Sequence, residues 1–366
     1  MKLAIERNRL LPVLSSVIGA IPRKTTLPIL SYFHVVGDGQ SLQITGTDLE
    51  TTIQSRISDV SHTPFAAVWP AKRIMDIVKS YPENGMIGIA QDEPDKMVVK
   101  CGRSSFKLQT LDPQDYPVIR QDQVFEHQFT IEQQSLRSGL NKTDFSMAKQ
   151  DVRYYLNGLL FHGQANRLML VATDGHRLAK TQHDLKTEFT EEWQVILPAD
   201  AIAEIKKGCN EGECRVAVGK NLSRFTFDDG QRILIVKHID GLFPDYLRIM
   251  PRDLPKCINV DRELFLDALQ RVRLVLDDTT AVQLNFTEGL IELSGGVGTD
   301  QAQDQVDAVY HGDELLIGLN SAYLIDVLRT MDDDEVELYC DKSNNAVRLA
   351  SPEQPDDVYV IMPMRL

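Results

Sequence analysis

Apolar and polar positions along this chain change period in a fixed order, and that order comes round three times. Each round opens on a short alternating stretch that runs into a helix-period segment: LAIERNRLLPVL, FTIEQQSLRSGL and INVDRELFLDAL. Alternation sends successive side chains to opposite faces of a strand, whereas spacings of three and four gather them on one helix face. Later in each round an apolar run ends at Pro70, Pro198 or Asn320 and a second helix pattern starts: VWPAKRIMDIV, ILPADAIAEIK and IGLNSAYLIDV. Four places on from those residues stand Ile74, Ile202 and Leu324, and seven places on stand Ile77, Ile205 and Val327. Proline and asparagine both suit a helix start. The pattern predicts helices over 6–19, 71–80, 132–142, 199–208, 262–273 and 321–330.

Between these helices the chain reads as strands. YFHVVGDGQSLQITGTD, GLLFHGQANRLMLVATD and VQLNFTEGLIELSGG each hold two apolar runs around a Gly- or Asn-bearing turn, which signals a hairpin. FKLQTL, RILIVKHI and VYVIMPM add further strands. Thr47-Asp48, Thr173-Asp174 and Thr299-Asp300 mark the period, recurring at intervals of 126 residues. The expected class is therefore α+β: three tandem similar domains, over 1–122, 128–250 and 255–366, each with two helices on about eight strands in antiparallel sheets. Placed side by side, such units present helices on one side and sheet on the other. A curved row makes an arc with helices inside, and two arcs that meet make a ring.

Composition changes the picture at one point. The formal charge of −14 argues against nucleic acid as a partner. The six predicted helices, however, carry 13 Lys and Arg against 8 Asp and Glu, so the acidity lies in strands and loops. Solvated helix faces explain this blandly; helices sharing one basic surface explain it more sharply. The five cysteines lack CxxC pairs and a zinc partner set, which fits a reducing cytosol. The charge-interrupted start MKLAIERNRL does not read as a signal peptide, and no apolar run approaches a membrane span.

The strings DVRYYLNGLLF (151–161), TDGHRLA (173–179), FPDYLRI (243–249) and the final MPMRL, in this order on a triple repeat, resemble the bacterial sliding clamp family, the beta subunit of DNA polymerase III. The resemblance spans the whole chain. It implies a head-to-tail homodimeric ring of six similar domains, with helices lining a hole that admits double-stranded DNA. It implies a processivity factor, a non-catalytic subunit of the polymerase III holoenzyme in the cytoplasm, with no cofactor and no metal. A basic lumen needs only diffuse attraction to phosphates, the sequence-independent part of DNA binding. Candidate DNA-binding residues on the helices are Arg7, Arg9, Lys72, Arg73, Lys79, Arg137, Lys142, Lys206, Lys207, Arg271 and Arg273. The resemblance adds Lys24 and Gln150 on loops. Relatives often carry Arg in place of Lys24, so the charge is kept while the bidentate phosphate geometry is lost.

The resemblance also implies a pocket between the second and third domains, where the polymerase alpha subunit, the clamp loader, other polymerases and repair proteins insert a short apolar peptide. The matching residues are Leu156, Thr173, Gly175, His176, Arg177, Leu178, Pro244, Arg248, Ile249, Asn320, Tyr323, Val360, Met362, Pro363, Met364 and Arg365. Apolar walls with a flexible methionine and a few polar groups suit exchangeable docking. Met362 and Met364 also fit an ordinary last strand, and Asn320 a plain helix N-cap. The chain departs from relatives at Asn344, Asn345 and Ala346. For the ring interface the resemblance implies Arg103, Phe106 and Leu108 on one side and Leu274 and Val275 on the other, each of which equally fits intradomain core. Two rival functions remain at this point. One is a protein-only repeat scaffold; the other is a hydrolase using His176 beside Asp174, although the sequence offers no nucleophile motif, P-loop, GxGxxG or HExxH.

Overall fold

A computed structural model of the protein describes residues 2–117, 124–251, 254–277 and 281–365. The predicted boundary at 122 lies outside the described residues. Seven helices appear among them: α1 (Arg7–Val17), α2 (Ala71–Ser80), α3 (Gln133–Thr143), α4 (Ala199–Gly208), the single-turn α5 (Tyr246–Ile249), α6 (Arg262–Arg273) and α7 (Ser321–Thr330). Around the two long helices of each repeat lie eight strands, from Lys2–Glu6 to Ser104–Gln109, Phe125–Glu132 to Arg232–Lys237, and Lys256–Asp261 to Val358–Ile361. Three tandem α+β repeats are therefore present, and the strands among the described residues pair antiparallel.

The helix starts follow local chemistry. Pro70 and Pro198 each end a strand and hand directly to α2 and α4. Asn320 does the same for α7, its side-chain oxygen accepting from the backbone N–H groups of Ala322 and Tyr323. Asp261 caps α6 by accepting from the Leu264 N–H at 2.8 Å. The aligned apolar positions point inward: Ile74, Ile202, Ile205 and Leu324 are fully buried, and Ile77 is half-buried.

The chain forms two compact units, each holding part of the central repeat: 1–134 with 203–238, and 135–202 with 239–366. Sheet pairing explains this division. In the first unit, the first repeat contributes Phe65–Pro70, Tyr32–Gly37, Leu42–Thr47 and Thr51–Ile57 to an eight-stranded sheet. The central repeat continues that sheet, Arg232–Lys237 lying against Thr51–Ile57 with Leu234 opposite Ile53. A separate four-stranded sheet runs from Lys2–Glu6 to Ser104–Gln109, and α1 packs against α2. In the second unit, Val358–Ile361 lies against Arg177–Asp184, Val360 opposite Leu178, within a twelve-stranded sheet. There α6 packs against α7 over a core that includes Phe265, Leu269, Phe286, Leu324 and Leu338.

The Thr-Asp dipeptides close equivalent hairpins, but only two of them do the same work. Thr47 Oγ1 donates to the Thr51 carbonyl at 3.1 Å, and Thr173 Oγ1 to the Arg177 carbonyl at 2.6 Å. Asp48 Oδ1 accepts from the Glu50 and Thr51 N–H groups, and Asp174 Oδ1 from those of His176 and Arg177. In the third repeat Val297 pairs with Asp300 across Gly298-Thr299, so Thr299 lies in the turn and Asp300 opens the next strand. The even spacing marks a shared hairpin whose residue roles have slipped.

The two matching turns need one residue in the left-handed region, filled by Leu49 (φ 81°) in the first and Gly175 (φ 90°) in the second. A Cβ on Gly175 would also lie 3.0 Å from the Arg153 guanidinium. Gly175→Ala is expected to cost about 1–2 kcal/mol, while Leu49→Gly leaves stability unchanged or higher. Urea unfolding midpoints of the two variants check this directly.

Candidate docking pocket and basic helix faces

In the second unit, segments distant in sequence meet around the pair of strands Arg177–Asp184 and Val358–Ile361. Beneath them lies a buried cluster of Leu160, Met169, Val171, Leu178, Ile196, Tyr246 and Val360, with Phe243, Met250 and Ala346 packed against it. The stretch after the last strand is held at two points: the Met362 N–H donates to the His176 carbonyl and the Met364 N–H to the Gly318 carbonyl, each at 2.8 Å. Backbone bonds therefore hold this stretch, leaving the methionine side chains free to adapt. Met362 is 44% exposed and Ile249 42% exposed, while Met364, Pro363, Pro244 and Tyr323 are half-buried. His176, Arg248 and Arg365 are exposed on the surface, and Arg248 pairs with Asp245 at 3.0 Å.

Not every predicted pocket residue presents itself there. Leu156, Leu178 and Val360 are all but fully buried, Leu178 and Val360 within the floor cluster, so none of the three lines a wall. The Thr173 hydroxyl is occupied within its turn. Arg177 is an organiser: Nη1 reaches Asp326 at 2.6 Å, Nε reaches Asp174 at 3.2 Å, and Nη2 donates to the Phe145 carbonyl at 2.6 Å. Its guanidinium also lies 4.4 Å from the Tyr323 ring centre and 5.4 Å from that of Phe145. A largely buried cation persists when its charge is paired and each of its three nitrogens donates in this way. Burial, followed by the Asp174 charge, pushes the Tyr323 hydroxyl pKa up. Asn320 serves as the N-cap of α7. Exposed Asn345 bonds to Asp341 at 3.0 Å, and Ala346 touches the floor cluster, so the departing segment borders the same site.

The sequence reading missed Phe145, Asp326 and Arg153, which hold this arrangement together. Arg153 binds Asp151 and donates to the Asp174 carbonyl at 3.1 Å, and its side-chain bond draws the Asp151 pKa down to about 2. It lies inside DVRYYLNGLLF together with Asp151, but nothing in that string marks the Asp174 carbonyl as its second partner. The hydrolase reading loses its geometry here. Asp174 gives Oδ1 to two backbone donors and Oδ2 to Arg177, so it shapes a turn rather than orienting the His176 imidazole.

The predicted cations divide. On α2, Lys72, Arg73 and Lys79 are exposed opposite the buried Ile74, Met75 and Val78, and Arg137 is exposed on α3. Lys24 and Gln150 are exposed on loops. Arg7 is half-buried and donates to the Val78 carbonyl at 3.1 Å, closing the end of α2, while Arg9 reaches the Asp59 carbonyl at 3.3 Å. Arg271 pairs with Asp304 at 2.6 Å and Lys207 with Glu204 at 2.5 Å, both remaining largely exposed. Lys206 and Arg273 are half-buried.

Lys142 corrects the prediction. It is buried, 2.6 Å from Asp357, with Gln354 as a second partner, and Thr181 donates to the other Asp357 oxygen at 2.5 Å. Helix charge alone could not separate such a structural cation from a surface one. At the predicted interface Leu108 is likewise buried, belonging to the core of its sheet. Phe106 is 38% exposed and Leu274, capping α6, is 85% exposed. Arg103 is exposed and Val275 half-buried.

Three tandem repeats, each with two long helices and eight antiparallel strands, define a three-domain clamp fold. Models of the N-terminal, central and C-terminal domains of the DNA polymerase III beta subunit match residues 1–120, 130–245 and 247–365. The beta sliding clamp of Pseudomonas aeruginosa is 36% identical over 371 residues, covering all of both chains. A crystal structure of the Pseudomonas aeruginosa DnaN sliding clamp bound to griselimycin superposes with a TM-score of 0.96 at 36% identity, covering both chains fully. The Caulobacter crescentus beta sliding clamp does so at 0.95 and 31% identity, covering 100% of this chain and 99% of that one. The chain belongs to the DNA polymerase III beta-subunit family, the sliding clamps, which are non-catalytic processivity factors. No helix among the described residues is long and apolar enough to cross a membrane.

The buried ion pair yields a prediction. Lys142→Ala or Asp357→Ala alone leaves an unpaired buried charge and is expected to cost about 3 kcal/mol, whereas Lys142→Met with Asp357→Leu restores most of it. Chemical unfolding of the single and double variants measures the difference.

Proposed function

We propose that two copies of this chain close head to tail into a ring that encircles duplex DNA and moves along it without reading sequence. The observation that carries this reading is the rule of the sheets. At both internal joins the last strand of one repeat pairs with a hairpin strand of the repeat before it: Arg232–Lys237 with Thr51–Ile57, and Val358–Ile361 with Arg177–Asp184. One strand of each kind has no such mate among the described residues. Ser104–Gln109, the last strand of the first repeat, ends its four-stranded sheet. Asp300–Val309, the counterpart in the third repeat, meets Lys256–Asp261 through only two residue pairs on its outer side. A second copy supplies what each edge lacks, with Phe106, Arg103, Leu274 and Val275 beside the contact. Repeat boundaries at 1–122, 128–250 and 255–366 complete this reading.

Containment then replaces grip. The exposed cations Lys24, Lys72, Arg73, Lys79 and Arg137, with Gln150, attract phosphates without fixing a register. The replicative polymerase, the clamp loader and other cytoplasmic partners dock short apolar peptides around Met362, Met364, Ile249 and Pro244. Griselimycin, bound in crystals by relatives from Pseudomonas aeruginosa and Bartonella birtlesii, serves as a probe of that pocket.

Loading onto nicked circular duplex by a clamp loader with ATP tests the ring. Retention should disappear when the circle is linearised, and Lys24→Glu with Arg73→Glu and Arg137→Glu should shorten it about tenfold. Leu274→Asp should give a soluble species of half the wild-type mass by light scattering. Equal retention on linear and circular DNA would overturn the proposal.

A further inference from the structure

We propose that Glu192, His162 and Tyr246 form a relay that positions one wall of the docking pocket, and so tunes affinity through groups that touch no peptide. This rests on the pocket reading above and deepens it. His162 is 2% exposed on strand Gly158–Gln164. Its Nδ1 lies 2.8 Å from the Tyr246 hydroxyl and its Nε2 2.8 Å from Glu192 Oε1. Gln164 donates to the other Glu192 oxygen at 3.1 Å. Glu192 is half-exposed, so the chain of bonds runs from the surface into the core.

Tyr246 is the first residue of α5, a single turn of four residues. A helix that short cannot hold itself in water, so its position comes from tertiary anchors. The Tyr246 ring enters the cluster beneath the pocket beside Leu178 and Val360, and its hydroxyl ends on His162. Leu247, Arg248 and Ile249 then follow on the exposed side. Moving the hydroxyl moves that wall.

The direction of each bond follows from the groups. The Glu192 carboxylate can only accept, so Nε2 carries a hydrogen, and neutral His162 then offers Nδ1 as the acceptor for the Tyr246 O–H. Protonation places a hydrogen on Nδ1 and turns the tyrosine hydrogen out of its bond inside the core. Burial favours the neutral ring and opposes the Glu192 charge. Glu192 faces the imidazole, and Asp245 together with Glu192 bears on the tyrosine.

Griselimycin binding to the full chain, measured by calorimetry across the acidic range, tests the relay. Wild-type affinity is expected to weaken as His162 takes a proton. Tyr246→Phe, which keeps the buried ring, should weaken binding three- to tenfold near neutrality, and this variant and Glu192→Gln should flatten the pH profile. His162→Gln, which retains a donor toward Glu192, should recover part of what His162→Phe loses. Met362→Ala serves as the pocket control. Loss of binding in Met362→Ala, with affinity and pH profile unchanged in Tyr246→Phe, overturns the relay and leaves the pocket standing. Unchanged binding in Met362→Ala overturns both.

Discussion

Antiparallel pairing between successive repeats is the constraint on which the rest of this molecule depends. A hairpin-built sheet has two edges, and an uncovered edge invites another strand. Here the central repeat gives four strands to the sheet begun by the first repeat and four to the sheet finished by the third. Compact units therefore cut across the sequence repeats. That pairing also brings Leu178 opposite Val360, and with it the buried floor on which the candidate pocket stands.

Polar interactions add specificity to this framework. Arg177 links a hairpin turn to α7 through Asp326, and Lys142 links α3 to the last stretch of chain through Asp357. Lys142 is buried and Arg177 largely so, and each anchors segments far apart in sequence. Removal of one partner leaves a desolvated charge, so such links fix one arrangement of the repeats more than they add stability.

Much of the fold was legible in the chain, because helix and strand patterns depend on neighbours a few residues away. Pro70, Pro198 and Asn320 located three helix starts, and the paired apolar runs located the hairpins. What stayed hidden depended on distance. Lys142 reads as a surface cation until Asp357, 215 positions away, is seen beside it. His162 and Tyr246, 84 positions apart, carry no motif between them. Leu108 and Phe106 share a strand face, yet one is buried and the other exposed, a difference set by packing and not by alternation. The Thr299-Asp300 pair kept its spacing while losing its role, since a hairpin tolerates a slipped turn if the strands still pair.

The open edge of Ser104–Gln109 and the barely paired outer edge of Asp300–Val309, among the described residues, have a consequence for the proposed assembly. Two different, mutually complementary ends make a heterologous contact, which propagates into fibres unless the angle between successive subunits brings the chain back on itself. Small changes at the joins that alter this angle would therefore switch the product from a closed oligomer to an open polymer without weakening any single contact.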